Sequence, residues 1–495
     1  MSLPRSVTGP LMVMMLVASL VGCTANGPPE ASPAGKRPNI VFVMVDDMDT
    51  SLLRFMPHVR QMQRHGVSFT NYTVTDSLCC PSRASMLTGK YPHNTGVITN
   101  QPPDGGSAVF HNRGEQASTV GTQLQHAGYR TALMGKYLNG YYPHDKRGST
   151  RPYVPPGWTR WVVGGDSYYG YNYTLNENGR ITRHGERPRA YLTDVLARRG
   201  DDFIRRNAEA GRPFFLQVAP YVPHVPATPA PRHEHAFPGL RAPRDPAFNE
   251  ADISDKPAWL RDQPRLPTAQ QASIDRSYRK RAQSLQAVDD MLGRFRDTLR
   301  ATGQAPNTHI VFTSDNGFHL GQHRLAPGKR TAFETDTTVP LVVTGPGVPA
   351  GRTVPQPVEN IDLRPTFAEL AGAPPAPGID GHSFAAPLTG KPATGWKSAA
   401  LVEHHGPNTD PDDPDKQPRG SGNPPSYAAL RTPAITYVEY ATGGRSYYDR
   451  RRDPHQLTNT YATLPARQRA KLHATLRQLS HCHGADCWTD AGGQP

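Results

Sequence analysis

Residues 79–89 read Cys-Cys-Pro-Ser-Arg-Ala-Ser-Met-Leu-Thr-Gly. Cys79-x-Pro81-x-Arg83 puts a thiol and a guanidinium at the start of a predicted helix, because proline suits a helical first turn. The free N–H groups and dipole of a helix start favour an anion beside residue 79, and Arg83 can neutralise further charge there. A cysteine pair ahead of a helix is also ordinary packing, and this short string alone does not separate the two readings.

Two pairs of oxygen-rich residues sharpen the choice. The apolar run Asn39 to Val45 (NIVFVMV) ends in Asp46-Asp47, and the run His309 to Thr313 is followed by Asp315-Asn316-Gly317. Adjacent carboxylates repel unless a cation lies between them. In open α/β sheets the carboxyl ends of strands are where ligands bind. Either pair alone could be a turn or a helix cap; two pairs, each directly after an apolar strand, favour a metal site. Asp46, Asp47, Asp315 and Asn316 are hard donors suited to Ca²⁺ or Mg²⁺.

Cations supply the rest of an anion site. Lys136 follows the strand-like Thr131 to Met134, His224 lies in Tyr221-Val-Pro-His, and Lys329 lies in Pro327-Gly-Lys-Arg beyond Asp315-Asn316. Each singly could be a solvated charge or a hydrogen-bonded core histidine, but each falls just past a strand or in the loop after the second acidic pair.

The elements that must position these groups form an alternating pattern. Asn39–Val45, 213–218, 309–313 and 340–344 are short, β-branched apolar runs of the kind buried in parallel sheets. Helical patterns lie between them, notably over 277–301. This predicts a doubly wound α/β sheet. After about residue 395 the pattern changes to short strands (399–403, 434–440, 446–449) and one late helix (465–479), which predicts a small antiparallel sheet with a helix on it. The stretch 406–425 is rich in Pro and Asp and reads as a solvated surface loop.

The 495 residues suit a large α/β domain with a smaller companion: a catalytic domain over 38–395 and a C-terminal α+β subdomain over 396–495. With 51 prolines and 45 glycines, many turns and long surface loops are expected. The formal charge of +13 suits an anionic substrate or surface, and equally mere solubility. No basic run with interleaved aromatics points to nucleic acid, so none is expected as a partner. Leu11 to Val21 is apolar but short for a membrane span. It leads into Leu20-Val21-Gly22-Cys23, which resembles a bacterial lipobox; a plain secretory signal is the alternative. Residues 1–23 are thus expected to be a signal peptide with Cys23 lipidated, 24–37 a flexible tether, and the mature protein an exported, membrane-anchored lipoprotein or a secreted one. Cys482 and Cys487 lie close together and can close a small disulfide loop in an oxidising compartment.

In order along the chain, RPNIVFVMVDDMD, CCPSRASMLTGKYPHN, GKYLNGY, VPPGW, TSDNGFHLGQH, VPLVVTGPG and NIDLRPTF resemble the type I, formylglycine-dependent sulfatases. CCPSRASMLTGKYPHN and GKYLN resemble most the N-acetylglucosamine-6-sulfatase and heparan 6-O-sulfatase branch, and YDRRRDPHQLTN resembles the family's closing segment. The resemblance implies an alkaline-phosphatase-like fold, a doubly wound mixed sheet flanked by helices. It also implies removal of sulfate from sulfated saccharides, with the 6-O-sulfate of glucosamine as the expected substrate. Cys79 matches the cysteine that a formylglycine-generating enzyme oxidises; counted from Cys80 the register fails, since Ser82 stands where proline is needed. Arg83, Lys136, His224 and Lys329 match catalytic residues. Asp46, Asp47, Asp315 and Asn316, with residue 79, match the ligands of Ca²⁺. Leu138 stands where many arylsulfatases have histidine, a departure the glucosamine-6-sulfatase branch shares. His93, Asn94, His319 and His323, with Glu403 and His404, are candidates for sugar contacts and equally for structural roles. A broader arylsulfatase, a phosphodiesterase or phosphonate hydrolase on the same fold, and a non-catalytic binder of sulfated sugars are the competing expectations.

Overall fold

The computed structural model describes residues 37–491, apart from 393–394, 410–412, 414 and 417. The expected signal segment, Cys23 and residues 24–36 of the expected tether lie outside the described residues. Sixteen strands are described in chain order: β1 (Asn39–Val45), β2 (Val67–Phe69), β3 (Tyr72–Thr73), β4 (Arg130–Gly135), β5 (Arg160–Gly164), β6 (Tyr173–Glu177), β7 (Arg180–His184), β8 (Phe214–Ala219), β9 (Thr308–Ser314), β10 (Leu341–Thr344), β11 (Arg352–Val354), β12 (Val358–Glu359), β13 (Ala400–His404), β14 (Tyr427–Arg431), β15 (Ile435–Tyr440) and β16 (Arg445–Asp449). Ten of them form one sheet in the order β11-β2-β10-β9-β1-β8-β4-β5-β6-β7. Its centre, β9-β1-β8-β4-β5, is parallel, and β10, β6 and the β6–β7 pairing are antiparallel.

The strand β1 shows why the sheet needs cover on both sides. All seven of its residues are buried. Because successive side chains point to opposite faces, Val41, Val43 and Val45 enter one core and Ile40, Phe42 and Met44 the other. The helices Leu192–Glu209 and Thr268–Ala301 cover the first face through Val195, Leu196, Ile204, Ile274, Leu285 and Leu292. The helices Cys79–Thr88, Val120–His126 and Leu363–Leu370 cover the second through Ala84, Leu87, Leu124 and Phe367. Each such side chain contributes roughly 1.5–3 kcal/mol of burial before the entropic cost of ordering it.

Register then sets the site. Val45 of β1 lies beside Ser314 of β9, so the two strands end level and Asp46-Asp47 emerges next to Asp315-Asn316. Gly135 of β4 lies beside Ala219 of β8, and the Lys136 N–H donates to the Ala219 carbonyl at 2.8 Å. Lys136 and His224 therefore leave the sheet at the same end.

Past residue 399, β13–β16 form a four-stranded antiparallel sheet. The helix Ala466–Leu479 packs on it, with Leu472, Leu476 and Leu479 against Leu430 and Tyr437. Cys482 and Cys487 form a disulfide. Among the elements that differ from the pattern read in the sequence are the long helix and one strand of the small sheet. The long helix starts at Thr268, not 277, directly after Pro267; its first turns, TAQQAS, are too polar to show apolar periodicity. The strand β14 was not expected, because Tyr-Ala-Ala-Leu-Arg lacks β-branched residues and gains its place from pairing with β13 and β15.

Candidate active site

Cys79 is the first residue of the helix Cys79–Thr88, and Leu78 before it provides no side-chain cap. In that first turn the Cys80 N–H donates to Asn100 Oδ1 at 3.0 Å, Pro81 has no N–H, and the Ser82 N–H donates to the Leu78 carbonyl. The Cys79 thiol donates to Asp46 Oδ1 at 3.3 Å, and Lys329 Nζ donates to Sγ at 2.8 Å. Burial, reinforced by Asp415 and Asp46, pushes the thiol pKa well above its ordinary value. The sulfhydryl therefore stays protonated and is a poor nucleophile as it stands.

The carboxylates are held in a fixed order. Lys136 Nζ bonds Asp46 Oδ2 at 2.7 Å, and Lys329 Nζ bonds Asp47 Oδ1 at 2.7 Å. Arg83 Nε bonds Asp315 Oδ2 at 2.7 Å, while its Nη1 donates to the Lys136 carbonyl at 3.1 Å. Burial alone would raise the Asp315 pKa, but Arg83 and Lys136 outweigh it and hold it below the ordinary carboxylate value. Asp47 has φ 66°, a left-handed conformation that aspartate tolerates better than most residues. That backbone is fastened by the Asp47 N–H to Asp315 Oδ1 at 3.0 Å and by Arg281, which donates to the Asp47 carbonyl.

These residues fit a hard divalent cation. Asp46, Asp47, Cys79 and Asp315 are all buried and offer ligand atoms within 4.8 Å of one another. Asp47 Oδ2 and Asn316 Oδ1 are buried without a hydrogen-bond partner among the described residues, an arrangement that costs free energy unless something accepts their lone pairs.

One side chain in the cluster was not anticipated. Asp415, from the stretch read as a solvated loop, is buried and lies 2.5 Å from His224 Nε2 and 3.1 Å from Lys329 Nζ. Asp413 is buried too and pairs with Arg330 at 3.0 Å. The loop is buried here because its acidic residues neutralise Lys329, His224 and Arg330, which are buried themselves. Burial would raise the Asp415 pKa, but Lys329 and His224 pull it well below the ordinary value. Burial would lower the His224 pKa, but Asp47 and Asp415 outweigh it and leave it raised. The available signal was the Asp413-x-Asp415 spacing in a chain whose site cations outnumber its expected free acids. Tyr168 also escaped the sequence reading. Its ring lies tilted against that of His224, centroids 4.4 Å apart, and 5.1 Å from Lys136 Nζ.

The structure thus gathers Asp46, Asp47, Cys79, Arg83, Lys136, His224, Asp315, Asn316 and Lys329 at one end of the sheet. The candidate sugar contacts have other partners. His93 bonds Glu403 at 2.7 Å and the Cys482 carbonyl at 3.0 Å, and Asn94 bonds Asp380 and that same carbonyl. His319 bridges Asp336 and the Ser421 carbonyl, and His323 bonds Glu250 while stacking on Phe333. His404 is buried 3.6 Å from Asp76. Among the described residues, none of these bonds reaches the cluster; they fasten the C-terminal sheet and the Gly317–Arg330 loop.

A mixed sheet wrapped by helices, with buried carboxylates at the ends of its two central strands and a nucleophile position on a helix start, defines an alkaline-phosphatase-like hydrolase. The family model described as "Sulfatase" matches residues 38–373, and that described as "N-sulphoglucosamine sulphohydrolase, C-terminal" matches 321–482. The chain is 36% identical to N-acetylglucosamine-6-sulfatase of Capra hircus over 488 residues, covering 93% of this chain and 86% of that protein. It is also 36% identical to the Homo sapiens enzyme of that name, covering 92% and 86%. A solved structure of a protein in complex with its substrate D-glucosamine-2-N,6-O-disulfate superposes with a TM-score of 0.71 at 23% identity, covering 93% of this chain and 100% of that one. The chain belongs to the sulfatase family and is a sulfuric ester hydrolase.

Proposed function

We propose that this sulfatase removes the 6-O-sulfate of glucosamine or N-acetylglucosamine residues in glycosaminoglycan fragments, with residue 79 matured to formylglycine. The carrying observation is the position of Cys79 Sγ, within 3.3 Å of Asp46 and 2.8 Å of Lys329, on the first residue of a buried helix. The substrate assignment is supported by relatives bearing that activity in their names.

Asp46, Asp47, Asp315 and Asn316 would hold a divalent cation, Ca²⁺ by the hardness of the donors. With residue 79 as a hydrated aldehyde, the loaded site supplies a hydroxyl nucleophile and positive charge beside the sulfate oxygens. The chain's own residues do the rest. Lys136 and Lys329 point their ammonium groups at the space around residue 79, where they bind and orient the sulfate. Arg83, locked by Asp315, keeps the helix start and the Lys136 backbone in register. His224 Nε2 lies against Asp415, and Asp47 and Asp415 raise its pKa, which favours the protonated ring that would donate to the departing sugar oxygen. Released sulfate measured across 6-O-, 2-O- and N-sulfated glucosamine saccharides tests the reading. Selective release from the 6-O-sulfated member is expected; preferential release from another position overturns it.

We also propose export. Its supports are the apolar segment 11–21, the lipobox-like Leu20–Cys23 and the C-terminal disulfide, which suits an oxidising compartment. Lipid attachment at Cys23 would tether the enzyme to a membrane, and a formylglycine-generating enzyme is its maturation partner. Metabolic labelling with palmitate should mark the protein and fail in Cys23→Ser.

A further inference from the structure

A basic cleft lies beyond the catalytic cluster, at the edge strand β7. It encloses about 500 Å³ and is lined by Arg183, Arg187, Arg189, Arg198 and Arg199, with Glu186 as its one carboxylate. Arg199 is neutralised by Glu177 at 3.0 Å. Among the described residues, no carboxylate pairs with Arg183, Arg187, Arg189 or Arg198; Arg198 donates instead to the Arg189 carbonyl. Four like charges left uncompensated around one concavity repel one another, and an anion relieves that repulsion.

The cleft is joined to the active site by one short loop. Tyr168 packs against His224 with Lys136 over its ring. Two residues later the Gly170 carbonyl accepts from Leu192 N–H, at the start of the helix that carries Arg198 and Arg199. Asn172 then bonds Glu186 at 2.6 Å, on the cleft wall. The four Cα–Cα steps from Tyr168 to Asn172 span at most roughly 14 Å. Between the two places stands Tyr169, 70% exposed, with Tyr142 also exposed at 46% beside Gly165. An exposed aromatic face flanked by cations suits a ring bearing several anionic groups, apolar on one side and charged at its rim.

We infer that the arginine cleft is a second binding site for the substrate chain: it takes sulfate or carboxylate groups of saccharide units beyond the one being hydrolysed. The inference rests on the proposed glycosaminoglycan substrate. Concavity and proximity to the catalytic cluster favour an extended saccharide over a flat anionic membrane.

Equilibrium binding of size-defined heparin-type fragments to Cys79→Ala protein tests the cleft without turnover. The expected result is that a decasaccharide binds more tightly than a disaccharide. Arg183→Ser/Arg187→Ser/Arg189→Ser should then weaken the decasaccharide about tenfold, the scale for three exposed charge contacts, and leave the disaccharide unchanged. In otherwise unmodified enzyme the same triple variant should raise KM for the long chain while kcat holds. Unchanged decasaccharide affinity overturns the inference. So does an equal loss in Arg467→Ser/Lys471→Ser/Arg477→Ser, a control on the C-terminal helix that tests net charge alone. Loss of binding to phosphatidylserine vesicles with saccharide binding retained overturns it in favour of a membrane surface. Length-dependent binding that needs the three arginines, in an enzyme that releases no 6-O-sulfate, would leave the cleft standing and remove the substrate assignment.

Discussion

Glu334 offers a quantitative test of how the C-terminal sheet is tied to the rest of the molecule. Its carboxylate accepts from Arg431 of β14 at 2.8 Å and from Arg450, just past β16, at 2.7 Å. Burial would raise its pKa, but Arg431 and then Arg450 pull it down from 4.5 to about 2. At about 1.4 kcal/mol per pH unit that difference is worth ~3 kcal/mol, and the one-fifth exposure of the side chain brings it to ~2 kcal/mol. A carboxylate whose folded pKa is depressed stabilises the fold above its unfolded pKa and loses that contribution as pH falls toward the folded value. Glu334→Gln should therefore lower the Tm at pH 7. With an unfolding entropy of roughly 2 cal/mol/K per residue over roughly 450 residues, ~2 kcal/mol corresponds to ~2 °C. Calorimetry of parent and variant from pH 7 to pH 2.5 should show the gap closing below about pH 4.5. A gap that is absent at pH 7, or constant across that range, would refute the reasoning.

Further outcomes concern the site. Lys329→Ala should lower kcat/KM by roughly 10²–10³, the scale for losing one preorganised contact to the transferring group, with unfolding behaviour showing that the fold is kept. Asp415→Ala should leave His224 and Lys329 without their shared carboxylate and cost ~10²-fold in kcat/KM; activity equal to the parent would remove Asp415 from the account. Dialysis against a chelator should abolish sulfate release and lower the Tm, and added Ca²⁺ should restore both, because a ligand that binds only the folded state stabilises it by mass action.

The buried cluster of acids and cations was legible because it is written in level strand ends. Asp46-Asp47 and Asp315-Asn316 each follow an unbroken apolar run, and parallel pairing of β1 with β9 makes them neighbours although 268 residues separate Asp47 from Asp315. The late antiparallel sheet was legible from its short alternating strands. Asp413 and Asp415 were not, because a Pro- and Asp-rich loop reads as solvated until its cationic partners are known to be buried. For His93 and His319 the sequence left sugar contact and structural role equally open, and both ring nitrogens of each are engaged in fastening loops.

The central claim is that residue 79, converted from cysteine to an aldehyde, is the group on which sulfate transfer depends. Mass analysis of the tryptic peptide ending at Arg83, set beside sulfate release from the same preparation, tests it most directly. Activity should rise in proportion to the fraction carrying the aldehyde at residue 79 and vanish in Cys79→Ala, which should fold normally. Full activity in protein whose residue 79 is entirely unmodified thiol would contradict the account.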